Sequence, residues 1–141
     1  LFGISGDTAD ENFQKEIGHT RVSFWDCPLN RDYAERLRSD NLPLTEAKSE
    51  NRINRIAGTA DPRQTERVPA GAQFDFKLTV KQFDGDEEIL LDTLLQGLKL
   101  LEWDSLGGSG SRGYGKVAFT AITRNGEDIS SCFAAIQPFA K

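Results

Sequence analysis

The sequence contains no methionine, a single histidine, two cysteines and no long apolar run. Two distant cysteines are too few for a disulfide framework, and together with one histidine they leave no zinc-binding set. A membrane span needs about 18 consecutive apolar residues, and neither such a run nor a secretory signal is present. These absences predict a cytoplasmic protein without a membrane partner. The first residue is Leu1, which together with the missing methionine favours a fragment or a processed product.

The composition is typical of a soluble globular protein, with 38% apolar and 28% charged residues in a chain of 141 residues. That length predicts one domain, residues 1–141. A net charge of −5 argues weakly against a nucleic-acid ligand, but the charges are segregated along the chain. Residues 105–126 contain three basic residues and no acid, and residues 52–67 contain four arginines against two acids. An anionic ligand is therefore compatible with the sequence.

Hydrophobic periodicity predicts an α+β protein. The predicted strands are 21–29, 73–84, 114–122 and 129–133, and the predicted helices are 31–40 and 84–104. The last two strands are joined by a hairpin turn at Asn125–Gly126. Residues 44–72 have little periodicity, which is typical of a long loop. This order resembles the later part of a ferredoxin-like domain whose first strand and first helix are absent.

The segment LGGSGSRGYGKV, residues 106–117, holds five of the thirteen glycines. It contains G-x-G-x-x-G, but a predicted helix precedes it and a predicted strand follows, which is the reverse of a dinucleotide site. It also contains G-x-x-x-x-G-K, but Val117 replaces the Ser or Thr of a phosphate-binding P-loop. Residues 112–119 match an RNA-recognition signature except at Lys116, where an aromatic residue is usual.

Two interpretations of this glycine-rich segment stay open. It is a structural turn from helix to strand, or a loop whose backbone and basic side chains contact phosphates. Two or three residues suffice for a turn, so the length of the segment favours phosphate contact. The candidate RNA-binding residues are Gly107, Gly108, Ser109, Gly110, Ser111, Arg112, Gly113, Tyr114 and Lys116.

A second candidate site lies in the polar stretch from residue 45 to residue 72. Pro62 and Pro69 prevent one continuous helix there. The stretch is either an ordinary solvated loop or an arm that presents guanidinium groups to phosphates. The candidate RNA-binding residues of the arm are Asn51, Arg52, Arg55, Arg63 and Arg67.

Two long blocks carry a resemblance to a known family. SENRINRIAGTADPRQTERVPAGAQF, followed by GLKLLEWDSLGGSGSRGYGKV, closely resembles the backbone subunit of Csm-type (type III-A) CRISPR interference complexes, in the repeat-associated mysterious protein (RAMP) superfamily. LFG at the start and RVSFWDCPL also fit, so the resemblance covers essentially the whole chain.

The resemblance implies a ferredoxin-like, RRM-like RAMP domain that binds CRISPR RNA and target RNA in antiviral defence. It implies that residues 107–116 lie against the guide backbone and that a thumb-like insertion, about residues 45–72, wedges into the guide–target duplex. The implied partners are other copies of the chain, in a head-to-tail filament, and further type III effector subunits.

The family is expected to be an endoribonuclease that cuts target RNA with a divalent metal, Mg or Mn. The family's catalytic aspartate would lie before Leu1, so no catalytic residue and no metal ligand is assigned in this chain. The acidic cluster Asp7, Asp10 and Glu11 is not nominated, and His19 is interpreted as a loop residue. The rival functions are a stand-alone RNA-binding module without nuclease activity and a phosphate- or nucleotide-binding domain that uses the glycine loop.

Overall fold

A computed structural model describes residues 1–3, 12, 18–86 and 89–139. The chain divides into two compact units. The first unit consists of Leu1–Ser23 and Val80–Lys141, and the second consists of Phe24–Thr79. The acidic cluster at residues 7–11 lies outside the described residues.

Short helices and small antiparallel sheets alternate along the chain, which confirms the α+β prediction. In chain order the elements are β1 (Val22–Phe24), α1 (Arg31–Ser39), β2 (Glu46–Asn54), β3 (Thr59–Arg67), β4 (Leu78–Val80), α2 (Ile89–Trp103), a 3₁₀ turn (Gly110–Arg112), β5 (Thr123–Arg124), β6 (Glu127–Asp128) and α3 (Ser130–Ala134). The paired strands are β1 with β4, β2 with β3, and β5 with β6.

Helix α1 confirms the helix predicted at residues 31–40. Its N-cap is Asn30, whose side-chain oxygen accepts the Tyr33 N–H at 3.1 Å. The amide nitrogen of Asn30 donates to Asp75 at 2.9 Å, which ties the start of the helix to a later segment of the same unit. Ala34 and Leu37 are its buried residues.

The polar stretch predicted as a long loop is a regular β-hairpin formed by β2 and β3, so the loop prediction is wrong. Nine residue pairs lie in register, from Glu46 opposite Arg67 to Asn54 opposite Thr59. Asn54 organises the turn, because its side-chain oxygen accepts the N–H groups of Ile56 and Ala57 at 3.0 and 3.1 Å. Gly58 completes the turn at φ +67°.

The strands predicted at residues 21–29 and 73–84 are much shorter in the structure, where they are reduced to β1 and β4. Pro28 lacks the N–H group that would continue the ladder. Its carbonyl instead accepts the Asp75 N–H, and one isolated bridge joins Leu29 to Phe74.

Helix α2 confirms the helix predicted at residues 84–104 for residues 89–103, whereas residues 84–86 and 104 are not helical. Leu94 and Leu95 are buried, and the rest of the predicted stripe is half-buried; that remainder is Leu91, Leu98 and Leu101. The stripe faces the core of the first unit, where Phe133 of α3 is 2% exposed.

The strand predicted at residues 114–122 is wrong, because this segment is irregular. Two of its amides are bonded to side chains instead of a neighbouring strand: the Phe119 N–H donates to Glu102 and the Ile122 N–H to Ser130. The hairpin turn at Asn125–Gly126 is confirmed, with φ of 51° and 90°.

The return strand predicted at residues 129–133 is also wrong, since residues 130–134 form α3. The carboxylate of Asp128 accepts the Ser130 N–H at 2.8 Å, which forms an Asx turn immediately before the helix. Hydrogen bonds from Ser130 hold the pKa of Asp128 below its ordinary value.

Candidate nucleic-acid interface

The β2–β3 hairpin has one charged face and one nearly uncharged face, because opposite residues in an antiparallel pair share a side. The charged face carries seven charged side chains: Glu46, Lys48, Glu50, Arg52, Asp61, Arg63 and Arg67. On the other face Glu66 is the one charged residue, among Ala47, Ser49, Asn51, Ile53, Ala60, Pro62 and Gln64. Alternation of charge therefore replaces the alternation of hydrophobicity in this hairpin.

Most charged side chains on this face form ion pairs with one another. Arg67 pairs with Glu46 at 2.6 Å, Arg63 with Asp61 at 3.3 Å, and Lys48 with Glu50 at 3.1 Å. In the part of the chain that the structure describes, Arg52 and Arg55 have no ion pair or hydrogen bond through their guanidinium groups. The positive charge available to a ligand is thus concentrated toward the turn.

The turn of the hairpin is also its most apolar exposed point. Ile56 is fully exposed and Ile53 is 67% exposed, next to Arg55. Because the Ile56 side chain is not buried within the protein itself, its apolar surface is available to contact a partner. Sequence reasoning missed Ile56, although an isoleucine before Ala57–Gly58 in a polar stretch is a visible signal.

The structure distributes the five predicted arm residues over three places. Arg52, Arg63 and Arg67 share the charged face, Asn51 lies on the opposite face, and Arg55 lies in the turn. No single ligand surface therefore contains all five residues as the hairpin stands.

The glycine-rich loop, residues 107–115, is closed at its base. The Leu106 N–H donates to the Gly115 carbonyl at 2.8 Å, and the 3₁₀ turn lies between these two residues. Gly115 has φ +71°, and a Cβ there would lie 2.0 Å from the Leu106 oxygen. A Cβ at Gly110 would lie 2.1 Å from the Ser105 hydroxyl. Glycine is required at position 115, where the close atom belongs to the backbone, whereas at position 110 the Ser105 side chain would have to move.

The start of the loop presents unsatisfied backbone donors. Within the described ranges, no acceptor is bonded to the amides of Gly107, Gly108 or Ser109, and all three residues are exposed. Gly107 and Ser109 have positive φ, at 79° and 61°. Successive amides in such a turn form a concave anion-binding surface.

The side chains of the loop differ in their surroundings. Arg112 and Ser111 are exposed and Tyr114 is half-buried. Lys116 donates to the backbone carbonyl of Trp103 at 3.2 Å and to that of Asp104 at 2.5 Å. The loop thus places exposed amides and the exposed side chain of Arg112 on one short segment.

Glu102 joins α2 to the segment that follows the loop, and sequence reasoning missed it. Its carboxylate accepts the Lys99 ammonium at 2.9 Å and the Phe119 N–H at 2.6 Å, with 14% of the side chain exposed. Desolvation raises the pKa of Glu102, but the hydrogen bonds from Lys99 and Phe119 together outweigh it, so the pKa lies below its ordinary value. Lys99 also lies 4.9 Å from the ring centroid of Phe133.

The described residues do not fit the divalent metal that the resemblance implies. Among them no group of three or more His, Cys, Asp or Glu side chains is placed to hold a metal ion. No cleavage step can therefore be derived from these side chains.

The described residues also include no helix that is long and apolar enough to cross a membrane.

Comparison with known proteins identifies the class of this chain. The model of the RAMP superfamily matches residues 6–118, which is most of the chain and includes both the hairpin and the glycine-rich loop. The chain belongs to the RAMP superfamily.

Curated relatives define the group within that superfamily. The chain is 53% identical over 126 residues to a Streptococcus thermophilus protein named CRISPR system Cms endoribonuclease Csm3, covering 86% of this chain and 54% of the relative. Proteins of the same name from Methanothermobacter thermautotrophicus and Mycobacterium tuberculosis are 52% and 42% identical, covering 60% and 72% of this chain and 34% and 49% of their own lengths. The resemblance to Csm-type proteins is confirmed, and the chain spans about half the length of these relatives or less.

Proposed function

We propose that this chain is the RNA-holding part of a backbone subunit in a type III CRISPR effector complex. The observation that carries the proposal is the row of unsatisfied amides at Gly107, Gly108 and Ser109, next to the exposed Arg112. Phosphate oxygens are the natural acceptors for such donors. Relatives named Csm3 that are 42–53% identical support RNA as the source of those phosphates.

The glycine-rich loop would contact the guide RNA through its backbone. Contacts from amides and one guanidinium group reach phosphates without reading bases, so binding would be independent of the guide sequence. The proposed contact residues run from Gly107 to Tyr114. Lys116 belongs to the predicted set as well, but its ammonium is already bonded to two carbonyl oxygens.

The hairpin would act on the guide–target duplex as the thumb of the protein. Its turn combines the exposed Ile56 with Arg55, and Arg52 lies close by on the charged face. An apolar side chain inserted between base pairs unstacks them, and flanking cations then bind the displaced phosphates. Arg63 and Arg67 would contribute only after exchange of their internal ion pairs.

The proposal also includes the domain architecture of the chain. Residues 1–141 would form one RAMP domain of ferredoxin-like, RRM-like topology, with its first strand and first helix contributed by sequence outside this chain. One family model that matches across both compact units supports this assignment. Further copies of the chain and other effector subunits would be its protein partners in the cytoplasm. Target cleavage, with Mg or Mn, would depend on residues outside this chain.

The experiment is a salt titration of single-stranded RNA binding, with Arg112→Gln compared with Arg38→Gln. Both changes remove one exposed arginine charge, but Arg38 lies on α1, which belongs to neither candidate surface. For single strands the slope of log K against log salt changes by about 0.7 for each phosphate that the protein no longer neutralises. We expect Arg112→Gln to flatten the slope by about that amount for every RNA sequence, and Arg38→Gln to leave it unchanged.

Cleavage is scored in the same samples with magnesium or manganese. Binding without cleavage is the expected result. Equal slopes for parent and Arg112→Gln would contradict the guide-contact role. Binding of mononucleotides by calorimetry, with none of RNA, would favour the nucleotide-binding alternative.

A further inference from the structure

The C-terminal end of α2 lacks a cation of its own. The last carbonyls of a helix carry partial negative charge, and a basic residue in the last turn usually compensates it. The last turn of α2 contains no basic residue, and the charge of Glu102 in that turn is already paired with Lys99, three residues earlier. A cation from elsewhere in the chain can therefore stabilise the last carbonyls of the helix.

Lys116 supplies that cation from beyond the glycine-rich loop. Its ammonium donates to the carbonyls of Trp103 and Asp104, the last residue of α2 and the residue after it. An ammonium has three N–H donors, so these two bonds leave one. Lys116 therefore acts as a C-terminal cap of the helix, and its ammonium has little remaining capacity to bind a phosphate as well.

Two further hydrogen bonds, besides the two made by Lys116, connect the ends of the loop. The Leu106 N–H donates to the Gly115 carbonyl at 2.8 Å, and the Phe119 N–H donates to Glu102 at 2.6 Å. Each bond joins the segment before the loop to the segment after it. The three unsatisfied amides at residues 107–109 are therefore held between fixed ends, which lowers the ordering cost of binding an anion.

We infer that Lys116 is a positioning residue, which closes the glycine-rich loop by capping α2, and is not a phosphate ligand. The inference rests on the proposed RNA-binding role of the loop for its effect on affinity. The effect of Lys116 on the conformation of the loop does not depend on RNA, because the carbonyl groups that accept its hydrogen bonds belong to the same chain.

The first measurement separates positioning from contact by salt dependence. Lys116→Met keeps the length of the side chain but removes its charge and donors, and Lys81→Met is the matched control on an exposed lysine of the same unit. Removal of a phosphate ligand would flatten the slope of log K against log salt by about 0.7. We expect Lys116→Met to leave the slope of the parent unchanged and to lower affinity roughly two- to fivefold, the size of a helix-terminus charge interaction.

The second measurement needs no RNA. Amide hydrogen exchange of Leu106 reports the bond that closes the loop, and we expect exchange to become roughly two- to fivefold faster in Lys116→Met. Lys116→Arg keeps the charge and the donors and should restore the parent rate, whereas Lys81→Met should not change it.

The outcomes separate the two proposals. A flattened slope, or unchanged Leu106 exchange in Lys116→Met, would overturn the positioning role. An unchanged slope with faster exchange would support it. If the parent chain binds no RNA, the proposed function fails, and the exchange rates alone then decide the role of Lys116.

Discussion

Replacement of Glu102 is the sharpest test of how the first unit is held together. Glu102→Ala removes the acceptor of two hydrogen bonds, from Lys99 at 2.9 Å and from the Phe119 N–H at 2.6 Å. A hydrogen bond to a charged group contributes about 1.5–3 kcal/mol, and partial exposure of both partners reduces the sum. We therefore expect the free energy of unfolding to fall by about 2–3 kcal/mol.

The companion variant Glu102→Gln separates the two bonds. Its side-chain oxygen still accepts the Phe119 N–H, but the charge that attracts Lys99 is removed, so we expect a decrease of about 1 kcal/mol. Urea unfolding at neutral pH measures both values, with the exposed Glu127→Ala as a control expected within about 0.5 kcal/mol of the parent. A Glu102→Ala protein as stable as that control would refute the reasoning.

Four other perturbations test the core, the loop, the hairpin and the acid response. Phe133→Ala should lower the free energy of unfolding by about 3–4 kcal/mol in the same urea assay, because Phe133 is 2% exposed. Gly115→Ala should cost about 1–3 kcal/mol there, because its Cβ would strike the Leu106 carbonyl at a positive φ. Ile56→Ser should leave the melting temperature unchanged while weakening duplex binding in a filter assay. Melting temperature should be flat from pH 7 to about pH 5 and fall below about pH 4.

The acid transition follows from three carboxylates whose pKa is lowered by folding, which are Asp86, Glu102 and the Asp128 described above. Hydrogen bonds from Arg21 and from the Phe83 N–H lower the pKa of Asp86, and those from Lys99 and Phe119 outweigh desolvation at Glu102. A lowered pKa in the folded state adds stability above the pKa of the unfolded chain, and this stability is lost as pH falls through the folded value. A melting temperature that rises on acidification below about pH 4 would contradict this assignment.

Sequence periodicity predicted the helices better than the strands. The leucine stripe of α2 was visible because one face of that helix packs against a core, where Leu94 and Leu95 are buried. The β2–β3 hairpin has no apolar face, and its half-buried residues on β2 are Glu46, Lys48 and Glu50, so it carries no hydrophobic alternation to detect. Its actual signal is the alternation of charged and uncharged residues from Glu46 to Ile53, which follows the same period of two.

The candidate sites were found from residue types, but their geometry depends on long-range bonds. The resemblance singled out both the glycine-rich loop and the segment that forms the hairpin. No local pattern revealed that Arg67 is paired within the hairpin, because its partner Glu46 lies on the opposite strand. The carbonyl partners of Lys116 were hidden for the same reason, since they lie twelve and thirteen residues earlier. The pair of Arg63 with Asp61, in contrast, joins residues only two positions apart.

The register of the hairpin allows the whole hairpin to be removed or replaced as one segment. Glu46 and Arg67 are directly opposite at its base, and opposite residues in an antiparallel pair have Cα atoms about 4.5–5.5 Å apart. That gap is close to the roughly 3.8 Å step of a single peptide, so a two-residue Asn-Gly turn can bridge it. Residues 47–66 can therefore be excised, or exchanged for the corresponding segment of a relative, through two junctions that lie side by side. If the proposed function holds, contact with the guide–target duplex could then be exchanged between proteins separately from contact with the guide.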